Sequence, residues 1–244
     1  MIHLIVSYKL IGWDIIPYPG KSMAVVFGTL GYRPRSLIPT LKSTQDVEKL
    51  VFYFGADSKD PQAGAKVSEA RKSVVDYCSK MGIAVDPVEL EDPFDFKGIA
   101  SRIRKDIRKH KREGKEIAVF NIAGGTRPTS SAALLVCILE GVPTVYIHDV
   151  TYEEVPLPLL KMEYDQVLSR EEKEILRFLA GRKGEPVTEV ELANSLGKHK
   201  ATMNHHVKNL VRKGAVRLER HPSDQRKKVV RVEDSTELLL GDDL

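Results

Sequence analysis

Asn121-Ile122-Ala123-Gly124-Gly125-Thr126-Arg127-Pro128-Thr129-Ser130-Ser131 is the stretch on which the fold of this chain turns. The residues before it, Glu116–Phe120, are rich in strand formers, and those after it are small and apolar, as in a buried helix. Paired glycines permit a tight turn and close backbone approach, Thr126 is placed to cap a helix, and Pro128 suits a first helical turn. Such a strand–turn–helix joint presents unpaired backbone N–H groups and the positive end of a helix dipole, which together attract an anion. A plain glycine turn with a good cap would look the same locally, so the neighbouring segments decide its meaning.

Outward from this joint, strand and helix signals alternate. Met23–Gly28 reads as a short apolar strand, and Gly28-Thr29-Leu30-Gly31-Tyr32-Arg33-Pro34 turns it into a helix running to about Ser43, bent or shortened by Pro39. Leu50–Gly55 is a second strand. Val67, Ala70, Val74, Cys78 and Met81 then form a helical stripe within Ala63–Met81, which Gly82 ends. Ile83–Leu90 is a third strand, and Phe96, Ile99, Ile103 and Ile107 mark one face of a helix whose other face is strongly basic, the pattern of a solvated surface. After Glu116–Phe120 a buried helix runs through Leu139, and Pro143–Asp149 is a fifth strand.

Repeated β–α units predict an α/β fold, a Rossmann-like, mostly parallel sheet with helices on both faces. In a doubly wound sheet the strand order reverses beside the first strand, and ligands bind there beyond the strand C-termini. With Met23–Gly28 as strand one and Glu116–Phe120 as strand four, two loops share one crevice. Thr29, Leu30, Gly31, Tyr32 and Arg33 belong to the first loop, and Asn121, Ala123, Gly124, Gly125, Thr126 and Arg127 to the second. Neither a Gly-x-x-x-x-Gly-Lys-Ser/Thr phosphate loop nor a dinucleotide fingerprint is present, which disfavours ATP hydrolysis and hydride transfer.

The 244 residues, 42% hydrophobic and 30% charged, suffice for one sizeable core and a smaller one. Cys78 and Cys137 both fall in apolar helical patterns and have the spacing of neither a disulfide framework nor a zinc site, so they read as buried reduced thiols in a cytoplasmic protein. Met1–Gly20 lacks a basic leader, an uninterrupted apolar core and a cleavage site, and is read neither as a signal peptide nor as a membrane span. An added strand, an extra arm and an upstream start all fit it. Charge is uneven: residues 169–232 hold 16 Lys and Arg against 8 Asp and Glu, a net +8, and residues 233–244 carry −5. Of the whole-chain +4, only +1 is left for residues 1–168, so positive charge gathers where a nucleic acid would be met.

That basic segment has helix-turn-helix spacing. Ser169-Arg170-Glu171-Glu172 starts a helix with Ile175, Leu176, Phe178 and Leu179 on its apolar face, Thr188–Leu196 is a short helix, Gly197 a turn, and Lys200–Lys213 a longer helix closed by Gly214. Met203, Val207 and Leu210 share one face of the last helix, leaving Lys200, Thr202, Asn204, His205 and Lys208, with Lys198 just ahead, for double-stranded DNA. Asn reads adenine edges, and Lys and Thr commonly meet phosphates. Ala215–Arg220 and Val229–Val232 flank a basic turn, His221–Lys228, as a wing with Arg226, Lys227 and Lys228. A winged helix can also serve protein contact; the charge concentration favours DNA. His205-His206 lacks a third metal ligand, since adjacent helical residues point about 100° apart. Arg104 and His110 have the spacing of a nuclease motif, but on the basic helix of the first domain they read as coincidence.

Pro222-Ser223-Asp224-Gln225-Arg226 resembles the wing of the MarR family, in which the Asp braces an Arg that enters the minor groove. The resemblance implies that Asp224 orients Arg226, and attraction of a cation to a narrow groove supplies the physical reason. An α/β domain carrying Asn121–Arg127 followed by a winged helix resembles the CARF transcription regulators, the CRISPR-associated Rossmann-fold sensors, over roughly residues 23–232. That resemblance implies residues 1–22 as an extension or extra strand, 23–161 as sensor and dimerisation domain, 162–168 as linker, 169–232 as winged helix, and 233–244 as an acidic tail. It also implies a homodimer binding a cyclic oligoadenylate, such as cyclic tetra-adenylate, across its two-fold axis, with Tyr32 stacking on adenine and Thr126 and Arg127 holding phosphate or ribose. Glu153–Leu160 would extend the sheet at an edge, where Pro156 and Pro158 cost little. The regulator would bind promoter DNA in response to its ligand, with no membrane partner, cofactor, metal or catalytic residue. A ring nuclease that cleaves the ligand, or a regulator sensing another nucleotide or metabolite, are the alternatives.

Overall fold

The computed structural model describes residues 24–55, 60–158, 168–182, 184–233 and 236. The expectations for residues 1–22, for linker residues 162–167 and for most of the acidic tail lie outside the described residues.

The first sheet has six strands: β1 (Ala24–Leu30), β2 (Val47–Phe54), β3 (Ala84–Glu89), β4 (Glu116–Asn121), β5 (Thr144–Ile147) and β6 (Glu154–Leu157), ordered β3-β2-β1-β4-β5-β6. The first five run parallel, and β6 returns antiparallel beside β5 at the edge, as Pro156 allows. The order reverses between β1 and β4, so the predicted switch point is where the structure has it. Alternation along β1 fills both faces. Val25 and Phe27 pack with α3 (Phe96–Arg112) and α4 (Arg127–Glu140), whereas Val26 and Leu30 pack with α1 (Ile38–Ser43) and α2 (Pro61–Met81).

Four local readings differ. Strand β1 runs two residues beyond Gly28, because Thr29 and Leu30 pair with Tyr53 and Phe54, so both side chains are buried in the sheet rather than presented by the turn. Pro39 begins α1 instead of bending it, since the preceding residues Pro34–Ser36 form a 3-10 turn and Pro at the first helical positions loses no hydrogen bond. Strand β5 stops at Ile147, which puts His148 and Asp149 in the following turn. The basic face of α3 is only partly solvated. Arg104 and Arg108 donate to Glu140 Oε1 of α4 at 2.6 and 2.8 Å, and Lys111 to its carbonyl at 2.5 Å. His110 is buried, donating from Nδ1 to Asp106 O at 2.8 Å and standing edge-on to Phe27, so Arg104 and His110 are tied into the core.

In the second unit α5 (Arg170–Gly181), α6 (Glu189–Ser195) and α7 (Lys200–Arg212) pack over a sheet ordered β7 (Val187–Thr188), β9 (Lys228–Val232), β8 (Val216–Arg220). Ser169 with Glu172 and Thr188 with Glu191 form two capping boxes. Ile175, Leu176, Leu192, Met203, Val207 and Leu210 fill the core. The short β7, which no periodic signal announced, anchors the wing to the start of α6. Among the described residues no helix is long and apolar enough to cross a membrane.

Candidate functional site

The two predicted loops interlock. A Cβ on Gly124 would lie 2.2 Å from the Thr29 carbonyl oxygen and 2.8 Å from Gly31 N, and one on Gly31 would lie 2.8 Å from Gly125 N. Only glycine permits this backbone approach, and Gly125 at φ +81° needs glycine for a second reason. The crevice above the pair has a volume of about 470 Å³, and Gly31, Tyr32, Arg33, Ser36, Ala123, Gly124 and Gly125 from the loops after β1 and β4 line it. Ile147, at the end of β5, and His148, Asp149 and Tyr152, from the β5–β6 turn, line it as well.

The predicted residues divide by role. Gly31, Tyr32, Arg33, Ala123, Gly124 and Gly125 line the crevice, and Tyr32 is largely exposed with the Lys66 ammonium 5.9 Å above its ring. Asn121 is fully buried: its amide donates to Ser36 O and Thr40 Oγ1, both at 2.7 Å, and its Oδ1 accepts from Ala123 N. It therefore ties the two loops together instead of presenting its amide to a ligand. Thr126 caps α4 through Thr129 N and donates to Pro93 O at 2.6 Å, so its hydroxyl is engaged. Leu30 packs in the core, which leaves only its backbone near the crevice, and the Thr29 hydroxyl is buried without a hydrogen-bond partner. Arg127 is exposed at the start of α4, outside the crevice lining.

Sequence reasoning missed Ser36, Ile147, His148, Asp149 and Tyr152. The sheet order held the signal: once β5 is placed beside β4, its C-terminal turn must open on the same crevice. That turn is closely held. His148 Nδ1 accepts from Val150 N and Thr151 N, both at 3.2 Å, Tyr152 N donates to His148 O, and the Tyr146 hydroxyl donates to Asp149 Oδ2 at 3.0 Å. This bond, more than burial, raises the Tyr146 phenol above its ordinary pKa. Tyr152 sits at φ +60°, with the Arg35 guanidinium 5.6 Å from its ring.

On the winged unit, Lys200, Thr202, His205 and Lys208 lie exposed on α7, opposite its buried Met203, Val207 and Leu210. Asn204 is half-buried and donates to Glu189 Oε2 at 2.8 Å, bracing α7 against α6 rather than standing free. Lys198 is paired with Glu174 at 3.4 Å. His205 contacts Asn209 at 3.1 Å and His206 edge-on. Among the described residues no group of three or more His, Cys, Asp or Glu could hold a metal. In the wing, Asp224 Oδ1 accepts from Arg226 N at 3.2 Å and Arg226 Nε at 3.3 Å, while the Arg226 side chain is 93% exposed. Those backbone and side-chain bonds hold the Asp224 carboxyl below its ordinary pKa. Lys227 and Lys228 are exposed beside it. Cys78 and Cys137 are buried, and burial pushes their thiols up to about 11 and about 12.

Residues 168–227 match the MarR family. Among solved structures, a complex of S. aureus MepR with DNA is 21% identical, over 31% of this chain and 56% of that one, with a TM-score of 0.29. The transcriptional regulator BldR from Sulfolobus solfataricus is 28% identical, over 31% of this chain and 52% of that one, also at 0.29. The chain thus spans just over half the length of either. No curated protein matches it. Residues 36–160, which hold most of the crevice and just over half of the chain, match the family described as CRISPR-associated protein (Cas_APE2256), in agreement with the resemblance carried by the two loops. The chain belongs to the Cas_APE2256 family of CRISPR-associated proteins.

Proposed function

We propose that this protein is a DNA-binding transcriptional regulator that acts as a homodimer and changes its affinity for promoter DNA when a cyclic oligoadenylate, cyclic tetra-adenylate in the first instance, occupies the crevice. The observation that carries the reading is the crevice itself, lined by glycine backbone, Arg33, and aromatic and polar side chains, at the switch point of the sheet. Backbone N–H groups and a guanidinium suit phosphate, and Tyr32 and Tyr152 offer ring faces to bases. A ring of four identical nucleotides has the symmetry of a two-fold axis. The MarR-type unit supplies the output, with exposed cations on α7 and the wing. Cys78, Cys137, Arg104 and His110 are outside this machinery.

Calorimetry of the full chain with cyclic tetra-adenylate, with linear oligoadenylate and ATP as controls, tests the ligand. Tight binding at one ring per dimer is expected; absence of both heat and thermal stabilisation overturns the assignment. Cleavage of the ring would need a base for a ribose 2′-hydroxyl, and His148 Nδ1 already holds two backbone donors. Chromatography of ring incubated with protein should return it intact, and linear fragments would replace sensing by turnover.

A further inference from the structure

We propose that the β5–β6 turn is the base-reading wall of the crevice, with Asp149 and His148 as an acceptor–donor pair that selects adenine. The inference rests on the reading of the crevice as a nucleotide site and adds the residues that choose the base.

The chemistry of the lining residues decides which end of a nucleotide each of them suits. Arg33 and the Gly31, Gly124 and Gly125 backbone form the wall that suits an anion. Asp149 lines the same crevice from the β5–β6 turn and repels phosphate, so a ligand that fills the crevice turns a neutral donor toward it. One carboxylate oxygen of Asp149 takes the Tyr146 hydroxyl, which leaves the other to accept. The two N–H groups on His148 Nδ1 assign the ring proton to Nε2, so His148 is a donor at its remaining nitrogen. Consecutive residues thus offer one acceptor and one donor.

Adenine presents the complementary pair, the N6 amine as donor beside N7 as acceptor, whereas guanine and hypoxanthine place a carbonyl oxygen where the amine would be. That oxygen would face the Asp149 carboxylate. Tyr152 completes the wall. Its left-handed backbone places the ring against Arg35, as a flat face beside the polar pair. The turn is held by hydrogen bonds from His148 N to Glu153 O and from Tyr152 N to His148 O, so the pair is positioned before a ligand arrives.

The test is calorimetric titration of the full chain, wild type and Asp149→Asn, with cyclic tetra-adenylate, cyclic tetra-inosinate and the 2′-deoxy form of the adenylate ring. Wild type should bind the adenylate ring about tenfold or more tighter than the inosinate ring and lose little with the 2′-deoxy ring. Asp149→Asn, at an exposed position, should melt with the wild type, bind the adenylate ring about tenfold more weakly and narrow the base preference. Equal wild-type binding of adenylate and inosinate rings, or an unchanged preference in the variant, overturns the inference while leaving the crevice a nucleotide site. A loss confined to the 2′-deoxy ring overturns it in favour of ribose recognition by Asp149. Failure of every ring to bind wild type overturns both this inference and the ligand assignment.

Discussion

One added carbon at Gly124 would meet two backbone atoms of the neighbouring loop, the Thr29 carbonyl and Gly31 N, neither of which can rotate away as a side chain could. Gly124→Ala should therefore spread the β1 and β4 loops, lower the melting temperature and abolish ring binding, whereas Gly64→Ala, where a Cβ meets nothing within 4 Å, should leave ligand binding unchanged. Titration of both variants, with thermal melts, separates a local requirement from a general intolerance of alanine. In the wing, Arg226 is exposed yet aimed by Asp224. Arg226→Ala should weaken DNA binding and lower the slope of log affinity against log salt by about 0.9, one phosphate-equivalent of released counterion. An unchanged slope would place Arg226 outside the interface. Asp224→Ala should keep most of the salt slope but lose sequence preference, because the guanidinium remains while its direction does not.

Between elements, the contact most exposed to test is that of α3 with α4. Arg104 and Glu140 side chains are each under a tenth exposed and 2.6 Å apart, with Arg108 on the same carboxylate oxygen. Burial alone would raise the Glu140 carboxyl, but the hydrogen bonds from Arg104 and Arg108 outweigh it and leave its pKa below the ordinary value. The sign follows: a carboxyl depressed in the folded state contributes stability that is fully present above its unfolded pKa, about 4.3, and is lost as pH falls through the lower folded value. Glu140→Gln should cost about 3 kcal/mol at pH 7, because it removes the buried carboxylate that Arg104 and Arg108 share, and the variant should lose less stability than the wild type below pH about 4. Urea titrations from pH 7 to 3 measure both. This clamp was not legible in the sequence, where the Arg and Lys of residues 97–112 read as a solvated face, because its acidic partner lies on another helix. Strand and helix identities were legible from period and caps, as at Ser169 and Thr126, whereas the caps at Asp60 and Thr188 emerged only from the structure. Within the site, the glycines were legible because a backbone contact demands them, while Asn121 and Thr126 pointed to a ligand and turned out to hold loops. His148, Asp149 and Tyr152 were missed because the turn after β5 has no glycine or phosphate-loop pattern and is joined to the crevice only by strand order.

At the scale of the whole molecule, the proposed ring site and the proposed DNA site lie in one chain and are bound by linkage whatever the path between them. If ring binding changes DNA affinity by some factor, DNA binding must change ring affinity by the same factor, in the same direction. A coupling of 1–3 kcal/mol is usual for such pairs of sites, so a change of about fivefold to 150-fold is expected. The experiment has two arms on one protein preparation. DNA affinity is measured by fluorescence anisotropy with and without saturating cyclic tetra-adenylate, on a duplex selected by the protein from a random pool. Ring affinity is then measured calorimetrically with and without saturating duplex, in the same buffer, since the cationic α7 and wing make every DNA affinity depend on salt. Equal factors establish that both ligands bias one equilibrium between two states of the protein. A ring that binds tightly yet leaves DNA affinity unchanged would mean that it has equal affinity for both states, and the ligand-responsive part of the proposed function would fail while DNA binding stood.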